Sequence, residues 1–378
     1  MFITSHETSV STSEMNKHNS IVNPDKFKDM DKTMKIKLNS IEEKCRSMPE
    51  TYWNKMVPSG KAWSYDNIHY CIVPKVGCTH WKRILLFISH DYPKGSKITA
   101  PGDIDRHFVH FESHPSVKQT YMSDTCIRKV MTHKSFMFTR DPWARLWSAY
   151  IDKFLLPDFW EIGEYMVKAI KQNPSKRELS CVKDLSFQEF LSAVVKIWPR
   201  RLNEHMEPIT SLCSPCLVQY AAIGQMENFE DDSDYILSKF GIFFHQNSST
   251  RRDVAVQEIT TLTRYNFEKE STMSADCFNK KLVAQRLWKA FQFNGYIDRL
   301  TPFPQKEFKV SDFWQHPKKT FLNIILRTLE EQTTDIRTQK RDMMFEAYNE
   351  VSKDVINRLK TVYKHDFDLF GYDNDLFS

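Results

Sequence analysis

Glycine is scarce in this sequence, and long apolar runs are absent. Only 9 of the 378 residues are Gly, whereas 27 are Phe, a composition that favours a compact α/β body with many aromatic packing contacts. No stretch reaches the roughly 20 apolar residues that a membrane helix needs. Residues 1–44 also lack the apolar core of a signal peptide. We therefore expect a soluble chain that could associate with a membrane only through an anchor not seen in this sequence.

Cysteine is sparse as well. The 8 Cys residues are too few for a disulfide scaffold, and they could be free thiols or form a few bridges. Cys213 and Cys216 belong to one C-x-P-C element, which could close a small loop or pair elsewhere and is expected to be structural. No second such pair accompanies it, so no metal site is expected. The sequon at 247–249 would matter only in a secretory compartment.

Charge is modest and evenly spread. The formal net charge is +5, and 41% of the residues are apolar, enough for a sizeable core. Nucleic-acid binding is not expected, because no basic stripe or recognisable binding module appears. An anionic small molecule or a polyanionic substrate fits this charge. No pattern predicts an oligomeric state.

The chain divides by composition. Residues 1–45 are rich in Ser, Thr, Asn, Lys and Asp with almost no apolar periodicity, which predicts a disordered or loosely helical leader, or a stem remnant. Residues 46–378 are predicted to form one α/β domain. Within it, residues 253–340 are predicted to be helical in pieces, and residues 91–134 to be a surface loop.

A strand-to-helix junction at Lys75 organises the domain. Residues 68–73 predict a buried strand, and the apolar residues after the loop recur at helical spacing. Between them Lys75, Gly77 and Thr79 form a short loop. Unpaired N–H groups at the helix start, the helix dipole and a Lys together favour a phosphate or sulfate. The loop is not a Walker motif, because its Lys precedes its single Gly.

A second junction follows at Arg140. Residues 135–139 predict another buried strand. Pro142 suits the first turn of a helix. The apolar residues from Trp143 onward recur at the spacing of an amphipathic helix. Both loops would emerge at the carboxyl edge of a parallel sheet, where one nucleotide could place two anionic groups. Alternatively, Lys75 and Arg140 are surface charges, and Ser148 is a solvent-facing helix residue.

Further elements are predicted along the chain. Helices are expected over 185–195, 233–240, 282–293 and 341–363, and a strand ended by Gly224 over 217–223.

Four blocks resemble one family. Residues 71–83, C-I-V-P-K-V-G-C-T-H-W-K-R, resemble the 5′-phosphosulfate loop of the Golgi carbohydrate sulfotransferases, specifically the group with the chondroitin and dermatan 4-O-sulfotransferases. Residues 138–154 resemble their 3′-phosphate motif, residues 203–229 their His-containing and C-x-P-C segment, and residues 363–372 their C-terminus. The resemblance implies a three-layer, P-loop-like α/β fold with a central, mostly parallel sheet, and a Golgi lumen location. It sets residues 253–340 apart as a family-divergent insertion.

The resemblance also implies a reaction. The donor would be 3′-phosphoadenosine 5′-phosphosulfate (PAPS), which leaves as adenosine 3′,5′-bisphosphate, and the acceptor a sugar hydroxyl of a glycosaminoglycan-like or other glycan. Carried over by position, the nucleotide-binding residues are Arg140 and Ser148 at the 3′-phosphate and, at the 5′ loop, Lys75, Val76, Gly77, Cys78, Thr79, His80, Trp81, Lys82 and Arg83.

Two residues are assigned catalytic roles on the same basis. Lys75 would contact the bridging or leaving-group oxygen, and His205 would be the general base, since a neutral imidazole has a suitable pKa. His205 could instead only order its loop. The family pattern has Trp where this chain has Met206, and Glu204 and Glu207 are fallback bases.

Other activities remain as alternatives. A non-catalytic nucleotide- or glycan-binding homologue would keep the donor loops without the base. A nucleotide or sugar kinase would need ATP and a metal ion. Thiol chemistry at Cys78 is conceivable, because a helix N-terminus lowers a thiol pKa, but the backbone N–H of Cys78 is the preferred functional group.

Overall fold

A mixed five-stranded sheet lies at the centre of the molecule, with helices around it. The structure is a computed structural model, and it describes residues 24–49, 58–123, 129, 134–244, 250–309, 313 and 315–377. The strands are β1 (Lys61–Tyr65), β2 (Ile68–Ile72), β3 (Lys118–Tyr121), β4 (Lys134–Thr139) and β5 (Ala222–Gln225). The predicted α/β class is confirmed.

The sheet is less parallel than expected. Its order is β3-β1-β2-β4-β5. Strands β2, β4 and β5 pair in parallel, whereas β1 pairs antiparallel with both β2 and β3. The antiparallel half arises because β1 and β2 are joined by a tight turn at Asp66 and Asn67, which only an antiparallel pair can accommodate. The two predicted anion-binding loops both follow strands of the parallel half.

The helices account for most of the remaining described chain. They are α1 (Pro24–Ser47), α2 (Cys78–Ile88), α3 (Arg106–Phe111), α4 (Pro142–Tyr150), α5 (Glu164–Ile170), α6 (Lys176–Ser180), α7 (Phe187–Ile197), α8 (Ile209–Cys213), α9 (Phe229–Phe240), α10 (Arg251–Glu268), α11 (Lys280–Phe293), α12 (Pro317–Glu331), α13 (Gln339–Asn349), α14 (Lys353–Val362) and α15 (Lys364–Phe370). Helix α4 continues into a π-helical turn, Ile151–Leu155. Short 3₁₀ turns occur at Pro101–Asp103, Met226–Asn228, Lys269–Ser271 and Glu307–Lys309.

The helix α1 lies mostly within the segment 1–45, for which the sequence predicts a disordered or loosely helical leader. It buries Met34 and Ile41, and Lys37 contacts Asp232 at 3.3 Å. Thus the few apolar residues of a polar segment suffice to dock a helix against the body. The first part of the predicted leader, residues 1–23, and the sequon at 247–249 lie outside the described residues.

Three disulfides cross-link the described chain: Cys45–Cys216, Cys71–Cys213 and Cys181–Cys277. Both cysteines of the C-x-P-C element therefore pair elsewhere and do not close a small loop. Cys213 joins β2 to α8, and Cys216 joins the same region to α1. Among the described cysteines, Cys78 is free.

Two apolar clusters form the core. One packs around the sheet with α1, α2 and α9, and the other is formed by α4 and the helices of the second half of the chain. The segment 253–340 is helical, as predicted, and joins this second cluster. The predicted helix over 341–363 is split into α13 and α14, and the predicted strand over 217–223 is limited to β5. Within the described residues, none of the helices is both long enough and apolar enough to span a bilayer.

Candidate active site

The loop between β2 and α2 brings Lys75 to the parallel edge of the sheet. The loop turns sharply, because Lys75 has φ +70° and Gly77 has φ +76°. Gly77 is the N-cap of α2, and a Cβ there would meet a ring carbon of Phe229 at 2.4 Å. Left-handed backbone and close packing both require glycine at this position. The first N–H groups of α2 follow this turn, and N–H groups at a helix start are suited to bind an anion.

The other residues carried over to this loop divide between core and surface. Val76 and Trp81 are fully buried, so their side chains position the loop. Thr79 Oγ1 lies 3.0 Å from His110 Nε2. Along α2, His80 is exposed and Cys78 is half-buried. The ammonium of Lys82 lies over the ring of Trp63. Arg83 donates a hydrogen bond to the carbonyl of Ile104.

Arg140 connects the two predicted loops. It follows β4, and its Nη1 donates to the carbonyl oxygen of Lys75 at 2.9 Å. Asp141 caps α4 by accepting from the N–H of Ala144 at 2.8 Å, and Pro142 opens the helix as predicted. Ser148, half-buried, lies further along α4. The structure thus brings Arg140 directly beside the Lys75 loop.

Asp152 pairs with the ammonium of Lys75. Its Oδ2 lies 2.9 Å from Lys75 Nζ and 3.3 Å from Lys153 Nζ, and its Oδ1 lies 3.5 Å from Arg106 Nη2. Burial alone would raise the pKa of Asp152, yet Lys153, Lys75 and Arg106 hold it well below its usual range. Burial lowers the pKa of Lys75, and Asp152 opposes this shift. Asp152 therefore stays ionised and partly balances the surrounding cations.

The helices after residue 250 extend this cluster. Tyr265 donates to Asp158 at 2.5 Å, and Lys269 pairs with the same carboxylate at 2.8 Å. Arg106 lies over the Tyr265 ring at 5.6 Å, and Lys153 also pairs with Asp158. The connected group holds more cations than carboxylates, so it favours an anionic ligand.

Sequence reasoning missed these residues. Arg106 lies in the connection expected to be a surface loop, and Tyr265 and Lys269 lie in the segment expected to diverge from the family. No motif or periodicity in the sequence around these three residues indicates that they lie near Lys75. Asp152 stands inside the block that resembles the 3′-phosphate motif, so position in that motif was a signal that could have found it.

His205 lies on a firmly held loop near Lys75. Arg145, buried in α4, donates to the carbonyls of Pro74, Glu204 and Glu207 at 3.1, 2.9 and 2.6 Å. One guanidinium therefore fixes the Lys75 loop and the His205 loop relative to each other. Sequence analysis assigned no role to Arg145.

The neighbours of His205 are occupied in holding the loop. Met206 is fully buried, and its carbonyl accepts from the hydroxyl of Tyr363. Glu204 pairs with Lys61 at 3.0 Å, and Glu207 accepts from the N–H of Leu202 at 2.7 Å. His205 itself is half-buried.

The electrostatic environment keeps the nearby imidazoles neutral. Burial, with the charges of Lys153 and Lys75, holds the pKa of His205 well below its ordinary value. Burial and neighbouring cations lower the pKa of His110 to about 2. A neutral imidazole can accept a proton, so the site combines a base, an ammonium and a helix N-terminus. This arrangement suits transfer of an anionic group to a hydroxyl.

Sequence comparisons relate the chain to known sulfotransferases. The chain matches the sequence model of the sulfotransferase family over residues 64–296, which includes part of the segment 253–340. Carbohydrate sulfotransferase 11 of Danio rerio is 34% identical over 179 residues, 46% of this chain and 50% of the relative. Carbohydrate sulfotransferase 14 of Danio rerio is 32% identical over 222 residues, which are 54% of this chain and 57% of the relative. Carbohydrate sulfotransferase 9 of Homo sapiens is 27% identical over 265 residues, which are 65% of this chain and 58% of the relative.

The matched region contains both candidate loops and His205. The alignments span about half the length of these relatives. No solved structure matches the chain. Because the family model covers more than half of the sequence, the chain belongs to the sulfotransferase family.

Proposed function

We propose that the protein is a PAPS-dependent carbohydrate O-sulfotransferase. One observation carries this proposal: Lys75, at the start of a helix, lies within one bonded network with Arg140 on one side and Asp152 on the other. The loops after β2 and β4 are thereby held together, as a donor with separate 5′ and 3′ anionic groups requires. The relatives named above are carbohydrate sulfotransferases, which supports a glycan as acceptor.

The chemistry needs positioning and charge stabilisation. Backbone N–H groups from Gly77 to Thr79 bind the 5′-phosphate, while Arg140 and Ser148 bind the 3′-phosphate. His205 takes the proton of the acceptor hydroxyl as its oxygen forms a bond to sulfur. The opposite S–O bond breaks, and Lys75 stabilises the charge that builds on the departing phosphate oxygen.

The acceptor and compartment extend the same proposal. The excess of cations around Asp152 supports an acidic, glycosaminoglycan-like acceptor, with a chondroitin-type chain as the first candidate. Three disulfides are typical of an oxidising compartment, which supports the Golgi lumen. Membrane association and glycosylation are further proposals that follow from this location.

Transfer of radiolabelled sulfate tests the function directly. Purified protein is incubated with labelled PAPS and desulfated chondroitin, dermatan or heparan, and the products are digested to disaccharides. We expect Lys75→Ala and Arg140→Ala each to abolish transfer while the protein stays folded, and Lys97→Ala, an exposed lysine, to keep full activity. Full activity in either site variant would refute the assignment.

Structure weakens the non-catalytic alternative. The feature that favours this alternative is Met206, which stands where the family pattern has Trp. The Met206 side chain is fully buried, so it packs in the core and does not line an acceptor surface. His205, the proposed base, is the neighbouring residue and is half-buried.

A further inference from the structure

A single oxygen atom of Asn203 serves two nitrogen atoms of His205. Asn203 Oδ1 lies 3.1 Å from the backbone nitrogen of His205 and 2.7 Å from its Nδ1. A backbone N–H can only donate, so the Asn203 atom that it contacts must be the amide oxygen. That fixes the orientation of the amide. Because Nδ1 contacts the same acceptor, Nδ1 must carry a proton.

The position of this proton determines which nitrogen can act as the base. A neutral imidazole has one N–H, so the Nε2 of His205 carries a lone pair. In the part of the chain that the structure describes, the side chain of His205 hydrogen-bonds Asn203 alone. His205 is half-buried, and this side-chain hydrogen bond uses Nδ1 and leaves Nε2 for the acceptor hydroxyl.

We propose that Asn203 is the positioning residue of the general base. It holds His205 in the tautomer whose Nε2 receives the proton of the acceptor hydroxyl. This inference rests on the proposed sulfotransferase function and adds a residue to its mechanism. Asn203 does not touch the reacting atoms, and it acts through His205.

The loop around Asn203 is built to hold one geometry. The backbone carbonyl of Asn203 accepts from Met206 N and Glu207 N at 2.8 and 2.9 Å, so residues 203–207 form a compact turn. The ring of Phe159 packs edge-on against the imidazole, with 5.5 Å between centroids. Ring position and tautomer are thus both fixed before an acceptor binds.

An amide suits this position better than a carboxylate. Four charged groups face the imidazole from neighbouring elements: Lys75, Asp152, Lys153 and Asp158. On its own loop, Glu204 pairs with Lys61 and Glu207 accepts from a backbone N–H. A neutral amide fixes the tautomer without stabilising the imidazolium, whereas a carboxylate in contact would raise the pKa of the ring. The base therefore stays unprotonated across the neutral range.

Two substitutions separate the tautomer from the charge. Asn203→Ala removes the acceptor, and we expect kcat to fall about ten- to hundredfold, part of what a general base contributes, with KM for PAPS unchanged within about twofold. Asn203→Asp keeps an acceptor but adds a negative charge. The rate falls at low pH, where the base is protonated. In Asn203→Asp the added charge should raise the pKa of His205, so we expect this fall in the pH–rate profile to occur about one pH unit or more higher than in the unmodified protein. At still higher pH, kcat should recover.

A double-mutant cycle distinguishes positioning from simple loop support. If Asn203 acts through the imidazole, adding Asn203→Ala to His205→Gln should cost no further rate. If Asn203 merely orders the loop, Asn203→Ala should lower the rate by the same factor in the unmodified protein and in His205→Gln. Equal factors, or an unchanged pH profile in Asn203→Asp, would overturn the proposal.

A spectroscopic measurement makes the test independent of turnover. In protein labelled with ¹⁵N-histidine, the signals lost in His205→Gln identify this ring. We expect its shifts to show a protonated Nδ1 and an unprotonated Nε2 at neutral pH, and Asn203→Ala to move the ring toward the opposite tautomer. The opposite tautomer in the unmodified protein would refute the inference. Absence of sulfate transfer with every acceptor would instead refute the proposed function.

Discussion

Lys75 combines three constraints at one residue. Its backbone adopts a left-handed conformation at φ +70°, its carbonyl accepts from Arg140, and its ammonium pairs with Asp152. Non-glycine residues rarely adopt positive φ, and such strain clusters at functional sites. In the proposed donor site, this turn lets the N–H groups of α2 and the Lys75 side chain contact the same nucleotide.

Gly77 offers a sharp test of the loop geometry. We expect Gly77→Ala to weaken binding of adenosine 3′,5′-bisphosphate at least tenfold and to lower the free energy of unfolding by about 1–3 kcal/mol. The new Cβ would have positive φ and would collide with the Phe229 ring. Calorimetric titration and denaturant unfolding measure the two effects.

Gly95 supplies the matched control for this substitution. It has φ +82°, but a Cβ there would have no atom within 4 Å. Gly95→Ala should therefore share the backbone cost and retain nucleotide affinity. Equal losses of affinity in both variants would show that the Gly77 contact is not specific to the site.

At the scale of elements, two loops are fastened to each other by covalent and polar links. The disulfide Cys71–Cys213 joins β2, which leads into Lys75, to α8, which follows His205. Arg145 adds hydrogen bonds to both loops. The second nearby disulfide, Cys45–Cys216, ties α1 to a residue just after α8. The two bridges thus fasten different elements, although Cys213 and Cys216 are only three positions apart.

Removal of each disulfide should separate stability from activity. Both bridges span long stretches, 142 and 171 residues, so in the chain-entropy account each double Cys→Ala variant loses about 4–5 kcal/mol of unfolding free energy. We expect Cys71→Ala/Cys213→Ala also to lose sulfate transfer at least tenfold, while Cys45→Ala/Cys216→Ala retains it. Rates are compared at a temperature where both variants are folded. Equal activity in the two would contradict the assigned roles.

At the scale of the whole molecule, the site joins two apolar clusters. Lys75 follows a strand of the sheet cluster, whereas Asp152 lies on the π-helical turn that extends α4 in the helical cluster. Tyr265 and Lys269 add contacts from the second half of the chain. A ligand that bridges Lys75 and α4 would therefore connect the two clusters.

Ligand stabilisation should report this bridging. We expect adenosine 3′,5′-bisphosphate at a hundred times its Kd to raise the free energy of unfolding by about 2.7 kcal/mol, seen as a higher Tm. Adenosine 5′-monophosphate lacks the 3′-phosphate and should raise Tm less at the same concentration. Arg140→Ala should remove the difference between the two nucleotides. A larger shift with ATP and magnesium would favour the kinase alternative.

The sequence by itself determined the two junctions that hold the proposed donor site. Lys75, Gly77 and Arg140 follow buried strands and precede helices, and this pattern is local, because strand burial, turn geometry and helix capping depend on neighbouring residues. The α/β class follows from the same alternation, and His205 was found through a block of residues near it in the chain.

Only the tertiary structure decided which distant residues complete the site. Asp152 pairs with both Lys75 and Arg106 because the chain folds back. Arg106 in turn lies over the ring of Tyr265, which comes from the segment after residue 250. The disulfide partners, the docking of α1 and the antiparallel half of the sheet are also contacts between remote segments. Such contacts depend on the packing of the whole chain, and no local periodicity encodes them.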